Sequence, residues 1–436
     1  MPARNWLVVL ALAAAGYALT LYVFFPGVMT YDAKYIYEAI PDRQPGDWQS
    51  PLMVTLWRWI DPLATGAASM FLFIVTIYWS AFVLLALTIA RRSLPLAAIL
   101  LVLAAVPPAF TLVGVIWRDI LFAGAWLLAA VLAWSVREQT LAVRLPAQIL
   151  ALCFAAFGIL LRPNALFAIP LLAIYILWPA EFRLKRAALL YLPLAAAFYA
   201  LVPLVYYGAL NAKKEHPLHS VFVFDLGGIS HFTKQNQFPV TFTPEQNATL
   251  VDCYQPLLWD IYWNRDPCKF VMAKLEGEKI FGTPALSGAW LRAIAAHPVA
   301  YLQHRAAFMR TFLIGDNLTL WTLDVENPRL YLYTNRPAFM TLRAIDDALK
   351  KTPLMRVGTW LLVDIVILAF AWRRRETPEG AFAIGTCGSA TVYVLTFFVV
   401  GVATDFRYAY WGVLAAITST VVRLSPRDKK EQPGAS

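Results

Sequence analysis

Residues 68–90 read ASMFLFIVTIYWSAFVLLALTIA and run directly into Arg91-Arg92. Twenty-three residues pass without a charge, and about 20 apolar residues suffice for a helix to cross the hydrocarbon core of a bilayer. Nine further stretches have the same character: 5–25, 95–115, 119–136, 146–162, 164–179, 187–207, 356–373, 380–402 and 408–423. The expected fold is therefore an all-α polytopic membrane protein with about ten transmembrane helices.

Composition agrees. Of the 436 residues, 60% are hydrophobic and 15% charged, against about 45–50% and 25% in soluble domains. The formal net charge of +10 does not call for nucleic acid. The basic residues stand at the ends of the apolar runs, where they set orientation, and membrane lipids or lipid-linked phosphate are the partners such charge suits. The first run, within 5–25, is read as an uncleaved span, not a cleaved signal, because it is long and lacks a small-residue cleavage site.

One set of alternate connections carries Arg4, Arg91-Arg92, Arg137 and Arg144, Arg183 to Arg186, Arg373 to Arg375, and Arg423 with Arg427, Lys429 and Lys430. Positive loops stay inside, so both termini are expected in the cytoplasm. The domain reading follows: a seven-span bundle over 1–207 with a long first external loop at 26–67, an external, mostly helical insert at 208–355 between spans seven and eight, three C-terminal spans over 356–423, and a cytoplasmic tail at 424–436. Short loops and the absence of organelle signals suggest a bacterial inner membrane. The stretch 284–314 has helical apolar periodicity, and 336–352 is similar.

The external connections hold the polar residues that invite a chemical reading. Asp32 lies just past the first span; it is a candidate general base, or a helix-start carboxylate. Arg118, Arg162 and Arg407 stand in three short turns of the same face. Charged residues at such depth are costly and usually face an interior cavity, and a planar guanidinium suits phosphate. The alternative is local pairing with Asp119 or Asp405. Lys34 is a further phosphate candidate. Asp47 is a second carboxylate for acceptor or metal, or a turn residue; Trp48 stacks on sugar, or anchors at the interface. Asp364 lies inside an apolar span. Cys253 and Cys268, fifteen residues apart in the insert, are a candidate disulfide, while Cys153 and Cys387 read as packing residues. His297 and His304 read as structural. Asn247 and Asn317 begin N-x-Ser/Thr triplets, relevant only in a secretory host. No cysteine or histidine spacing indicates a metal site.

Asp32, followed by Gln49-Ser50-Pro51-Leu52 and, late in the chain, by Arg407-Tyr408, resembles the GT-C superfamily of membrane glycosyltransferases. That group includes the protein O-mannosyltransferases and the lipid A aminoarabinose transferases. Its members often carry Asp-Glu where this chain has Asp32-Ala33, and histidine where it has Gln49. The resemblance implies an inverting sugar transfer from a polyprenyl-phosphate donor to a glycan, lipid or protein acceptor, with Asp32 as base, the three arginines on the donor phosphate, and Asp47, Trp48, Gln49 and Tyr408 near acceptor or sugar. It implies no obligatory cofactor and leaves room for a divalent cation. A secondary transporter or flippase is the competing class. Transporters show repeated halves and midplane sites, whereas here no repeat is evident and the polar residues gather at one face. A non-catalytic subunit of a cell-envelope glycan assembly is the third.

Overall fold

The computed structural model describes residues 3–315 and 336–426. Among them every named element is helical, and the only strand-like features are isolated bridges. The helices are α1 (Ala3–Phe24), α2 (Tyr31–Glu38), α3 (Pro51–Ile60), α4 (Ala67–Ile89), α5 (Leu94–Ala104), α6 (Pro107–Val113), α7 (Arg118–Ser135), α8 (Leu141–Leu161), α9 (Ile169–Leu177) and α10 (Leu184–Pro203). They continue with α11 (His219–Thr233), α12 (Pro244–Asp252), α13 (Asp260–Trp263), α14 (Phe270–Gly277), α15 (Pro284–Ala296), α16 (Pro298–Ile314), α17 (Arg336–Leu349), α18 (Val357–Trp372), α19 (Pro378–Val400) and α20 (Tyr410–Leu424). The Asn317 triplet and the basic tail from Arg427 lie outside the described residues.

Among the described residues six helices are long and apolar enough to cross a membrane: Arg4–Phe24, α4, α7, α8, Leu184–Ala209 and α19. This is a multi-pass arrangement, as a helix is the structure that satisfies its own backbone groups in lipid. The other four expected segments form shorter helices, for local reasons. The stretch 95–115 breaks into α5 and α6, bent by 54°, because Pro107-Pro108 lack backbone donors and hold Val106 extended. The stretch 164–179 keeps only the nine residues of α9, since Pro163 closes a 3₁₀ turn first. The late segments reduce to α18, with 16 residues, and α20, with 15. Helix α10 runs on to Ala209 through a π-helical turn directly after Pro203.

Helix α7 is the axis of the bundle. Of its apolar window 83% is buried, whereas the Leu184–Ala209 helix buries 6% and stands at the periphery. Close packing around α7 depends on small residues. A Cβ at Gly158 would lie 2.3 Å from the Trp126 ring, so only glycine lets α8 approach there.

The two ends of the bundle differ chemically. At one end Arg92 and Arg137 converge on Glu138, at 3.2 and 2.5 Å. The Phe182 amide donates to Arg375 O at 2.6 Å, and Arg423 covers the Phe370 ring at 5.0 Å. The opposite end gathers α2, α3 and the turns at Trp117, Arg162 and Asp405.

The segment after α10 packs onto this second end. Trp259 N donates to Val402 O at 2.9 Å, and Arg305 Nη1 to Gly401 O at 2.7 Å. Its core is a polar knot between α11 and α16. Asp225 meets Arg305 Nε at 2.7 Å, His304 Nε2 at 3.2 Å and Trp290 Nε1 at 2.7 Å. Asp225, His304 and Arg305 are all fully buried. Burial keeps His304 neutral, its pKa pushed down. Burial also opposes ionisation of Asp225, but Arg305 and His304 outweigh it and hold the carboxyl below its ordinary value. Tyr254 completes the knot against His304 Nδ1 at 2.9 Å. His297 joins α15 to α16, so both histidines sit in structural positions.

Removing one partner strands the other as a buried charge. Arg305→Met is expected to destabilise the protein by roughly 3–5 kcal/mol, read as thermal unfolding of the purified protein in detergent. A loss under about 1 kcal/mol would show that the knot does not hold these helices.

Candidate functional site

Loop one is fixed before it reaches Asp32. Val28 N donates to Gly114 O at 2.9 Å and Ile116 N to Val28 O at 3.0 Å, a short parallel bridge that sets this loop beside the turn entering α7. Trp117 Nε1 then donates to Thr30 Oγ1 at 2.8 Å. Thr30 precedes α2, and Asp32 falls in the first turn of that helix, where a carboxylate is favoured by the unpaired amides.

Asp32 faces a residue 375 positions away. Arg407 Nη1 donates to Asp32 Oδ2 at 2.6 Å, and Gln49 Nε2 donates to Oδ1 at 3.3 Å. The same guanidinium reaches Asp405 Oδ2 at 3.0 Å and stands 3.9 Å from Asp119 Oδ2. Its flat face covers the Trp117 ring at 4.4 Å, a cation–π contact. Arg162 Nε pairs with Asp119 Oδ1 at 3.0 Å and lies 3.3 Å from the Tyr393 hydroxyl. Tyr408 is a shared floor: its ring lies 5.0 Å from Arg162 and 5.2 Å from Arg407, and Arg407 Nη2 donates to its hydroxyl at 3.3 Å.

Three arginines and three aspartates thus occupy one end of the bundle, but not as a simple clamp. Arg162 and Arg407 are tied to carboxylates. Among the described residues Arg118 has no carboxylate within 4.0 Å; its Nη1 donates to Trp48 O at 3.3 Å. Arg118 is thus the one of the three that is not held in an ion pair among the described residues. Asp32 is partly open: its side chain is 32% exposed, against 3% for Asp119 and 10% for Asp405.

The other sequence candidates divide. Gln49 and Tyr408 belong to the cluster. Asp47 does not face it: Oδ2 accepts from the Tyr207 hydroxyl and Oδ1 from the Glu215 amide, both at 2.6 Å, so it staples loop one to the chain beyond α10. Lys34 is half-buried on α2 and is not drawn in. Trp48 packs on Trp259 at 5.6 Å and Trp263 at 6.4 Å. Cys253 and Cys268 are disulfide-bonded. Asp364 is fully buried in α18, its Oδ2 next to Gly412, outside this hydrogen-bonded set. Asn247 donates to Phe242 O at 3.2 Å. Among the described residues no group of three His, Cys, Asp or Glu side chains is placed to hold a metal ion, and the space between Asp32, Asp119 and Asp405 is filled by the Arg407 guanidinium.

Trp117 and Tyr393 are members that sequence reading passed over, and Asp260 stands near enough for its charge to act on Asp405. Trp117 carried a signal in its place beside Arg118, and Tyr393 as a hydroxyl within an apolar run. Asp260 comes from the insert, and no local pattern links it to loop one.

No protein-family description, curated protein or solved structure matches this chain.

Electrostatics separate the carboxylates. Burial opposes the Asp32 charge, but Arg407, then Arg118 and Arg162, hold the group below the usual carboxylate range, ionised at neutral pH. Burial pushes Asp405 up to about 6; Arg407 works against this, and Asp32, Asp119 and Asp260 add to it. A pKa raised in the folded state gives stability that is present below the unfolded value and lost as pH rises through about 6. Asp405→Asn, which mimics the neutral acid, is therefore expected to gain on wild type by up to about 3 kcal/mol in thermal unfolding between pH 4 and pH 7. A pH-independent difference between the two would show that Asp405 does not titrate in this range.

Proposed function

We propose that this protein is an integral membrane glycosyltransferase of the GT-C type, moving a sugar from a polyprenyl-phosphate donor to a glycan, lipid or protein acceptor. The observation that carries the reading is the one exposed carboxylate of the cluster. Asp32 stands partly open, kept ionised by arginines from three separate connections. In this reading all ten apolar segments cross or enter a bacterial inner membrane, with the broken pair α5–α6 as one of them. Both termini face the cytoplasm with the basic end, and the Asp32 end with the 208–355 insert faces outward. The division of charge between the two ends supports this orientation.

The chemistry follows from the positions. An acceptor hydroxyl gives its proton to an Asp32 oxygen while its own oxygen attacks the anomeric carbon from the face opposite the phosphate. The bond from that carbon to the phosphate oxygen breaks, and the lipid phosphate leaves with the electron pair. The configuration inverts. A general base must lie within hydrogen-bond reach of the proton it takes, and an exposed Oδ on α2 meets that condition. Arg118 supplies the first positive charge to the donor phosphate, and charge placed where negative charge develops lowers the barrier. Phosphate also competes with Asp32 for Arg407. With the donor phosphate sharing that guanidinium in place, Asp32 keeps less of the positive charge that depressed its basicity and becomes a better base, without Arg407 leaving its carboxylates.

Two variants test the assignment with labelled sugars on a panel of polyprenyl-phosphate donors, using purified protein in lipid. Asp32→Asn is expected to abolish transfer while insertion stays normal and stability changes by no more than about 1 kcal/mol, since the amide still accepts from Arg407 at a partly exposed site. Arg118→Met is expected to raise the donor KM about tenfold or more, in line with loss of one charged hydrogen bond, with stability nearly unchanged. Transfer by Asp32→Asn at the wild-type rate would remove Asp32 as base. No transfer by wild type across the panel would favour the transporter or the assembly subunit.

A further inference from the structure

The three indoles beside loop one make more than an interface anchor. Trp259 and Trp263 stack at 5.6 Å with planes only 5° apart, and Trp48 tilts against both. Trp259 is buried and bound through its amide to the α19–α20 turn, while Trp263 is half-exposed. Its outer side lines an open groove of about 490 Å³, together with Asp266, Lys269, Phe270 and Glu276. That volume lies within the roughly 300–1,000 Å³ of small-ligand sites. The Cys253–Cys268 disulfide pins the groove wall formed by Pro267 and Lys269 to helix α12.

The platform leads back to Asp32 by contact. Trp48 is covalently next to Gln49, whose amide meets Asp32, and the Trp48 carbonyl receives Arg118. Asp260, between Trp259 and Trp263, feels the charges of Asp32 and Arg407 and is pushed up, by burial first.

Building on the glycosyltransferase reading, we propose that the groove beside Trp263 is an acceptor subsite for a carbohydrate chain, held by stacking on the tryptophan platform. A pyranose offers one face of C–H bonds, with weakly positive hydrogens, to the negative face of an indole. Its hydroxyls project sideways, where Glu276 and the Asp266–Lys269 ion pair, 3.0 Å across, stand exposed and offer donors and acceptors. A lipid tail would leave these charges unsolvated, so the occupant is the sugar part of the acceptor. The growing end would lie toward Trp48 and Asp32, and the earlier units in the groove.

Binding is the readout, so that this proposal and the transfer reaction fail separately. The full-length protein in lipid nanodiscs is titrated with mannotetraose, maltotetraose, cellotetraose and chitotetraose, followed by saturation-transfer NMR. Wild type is expected to bind at least one. Trp263→Ala is expected to weaken that binding roughly tenfold, and Trp263→Tyr to retain most of it. Ala273→Trp changes an exposed residue of α14 that lines the groove; it fills the space without disturbing the core and is expected to block binding. Absence of binding by wild type, or undiminished binding in Trp263→Ala or Ala273→Trp, overturns the proposal. Binding with this pattern but no transfer by wild type leaves the subsite standing and removes the glycosyltransferase reading instead.

Discussion

Arg407 Nη1 lies 2.6 Å from Asp32 Oδ2, joining the first connection of the chain to the last. The same guanidinium lies within ion-pair distance of Asp405 and Asp119, with Trp117 beneath it. Its side chain is 12% exposed, so most of its hydration is lost and must be replaced by these groups. A buried cation with three carboxylates around it fixes the relative positions of α2, α7 and the turn before α20. It cannot move far without leaving uncompensated negative charge, which is why one residue decides the geometry of this end of the bundle.

The arrangement also sorts identical side chains into different states. Asp119 is the deepest and serves both Arg162 and Arg407. Asp405 is buried among other carboxylates and is pushed up to about 6. Asp32 keeps a third of its surface and the strongest arginine contact. Distinct environments around like groups are how a single fold separates acid, base and structural roles. Among the cations Arg118 differs in the same way: it has no ion-paired carboxylate and donates to the Trp48 carbonyl instead.

The helical, membrane-crossing character of the chain was legible because apolar length is a direct physical requirement of the bilayer. The count was less legible, because helix continuity depends on prolines that composition windows average over. Pro107-Pro108 split one segment and Pro163 shortened another. Within the site, Asp32, Arg118, Arg162, Arg407, Gln49 and Tyr408 were visible as polar residues at the ends of apolar runs. Their pairing was not, since a contact over 375 positions leaves no periodic trace. Asp47 reads the same in sequence as Asp32, a carboxylate in loop one; only the partners Tyr207 and Glu215 reveal it as a staple. The contribution of Trp259, Asp260 and Trp263 depends wholly on how the segment after α10 folds back onto Val402.

Asp32 and Arg407, joined at 2.6 Å, should behave as one energetic unit. A double-mutant cycle with Asp32→Asn, Arg407→Lys and the pair, read as thermal stability across the same lipid and pH, measures it directly. An interaction energy of about 1 kcal/mol is predicted, toward the lower end for residues in one charged network because Asp32 is partly exposed. Additivity within about 0.3–0.5 kcal/mol, the behaviour of independent sites, would contradict it.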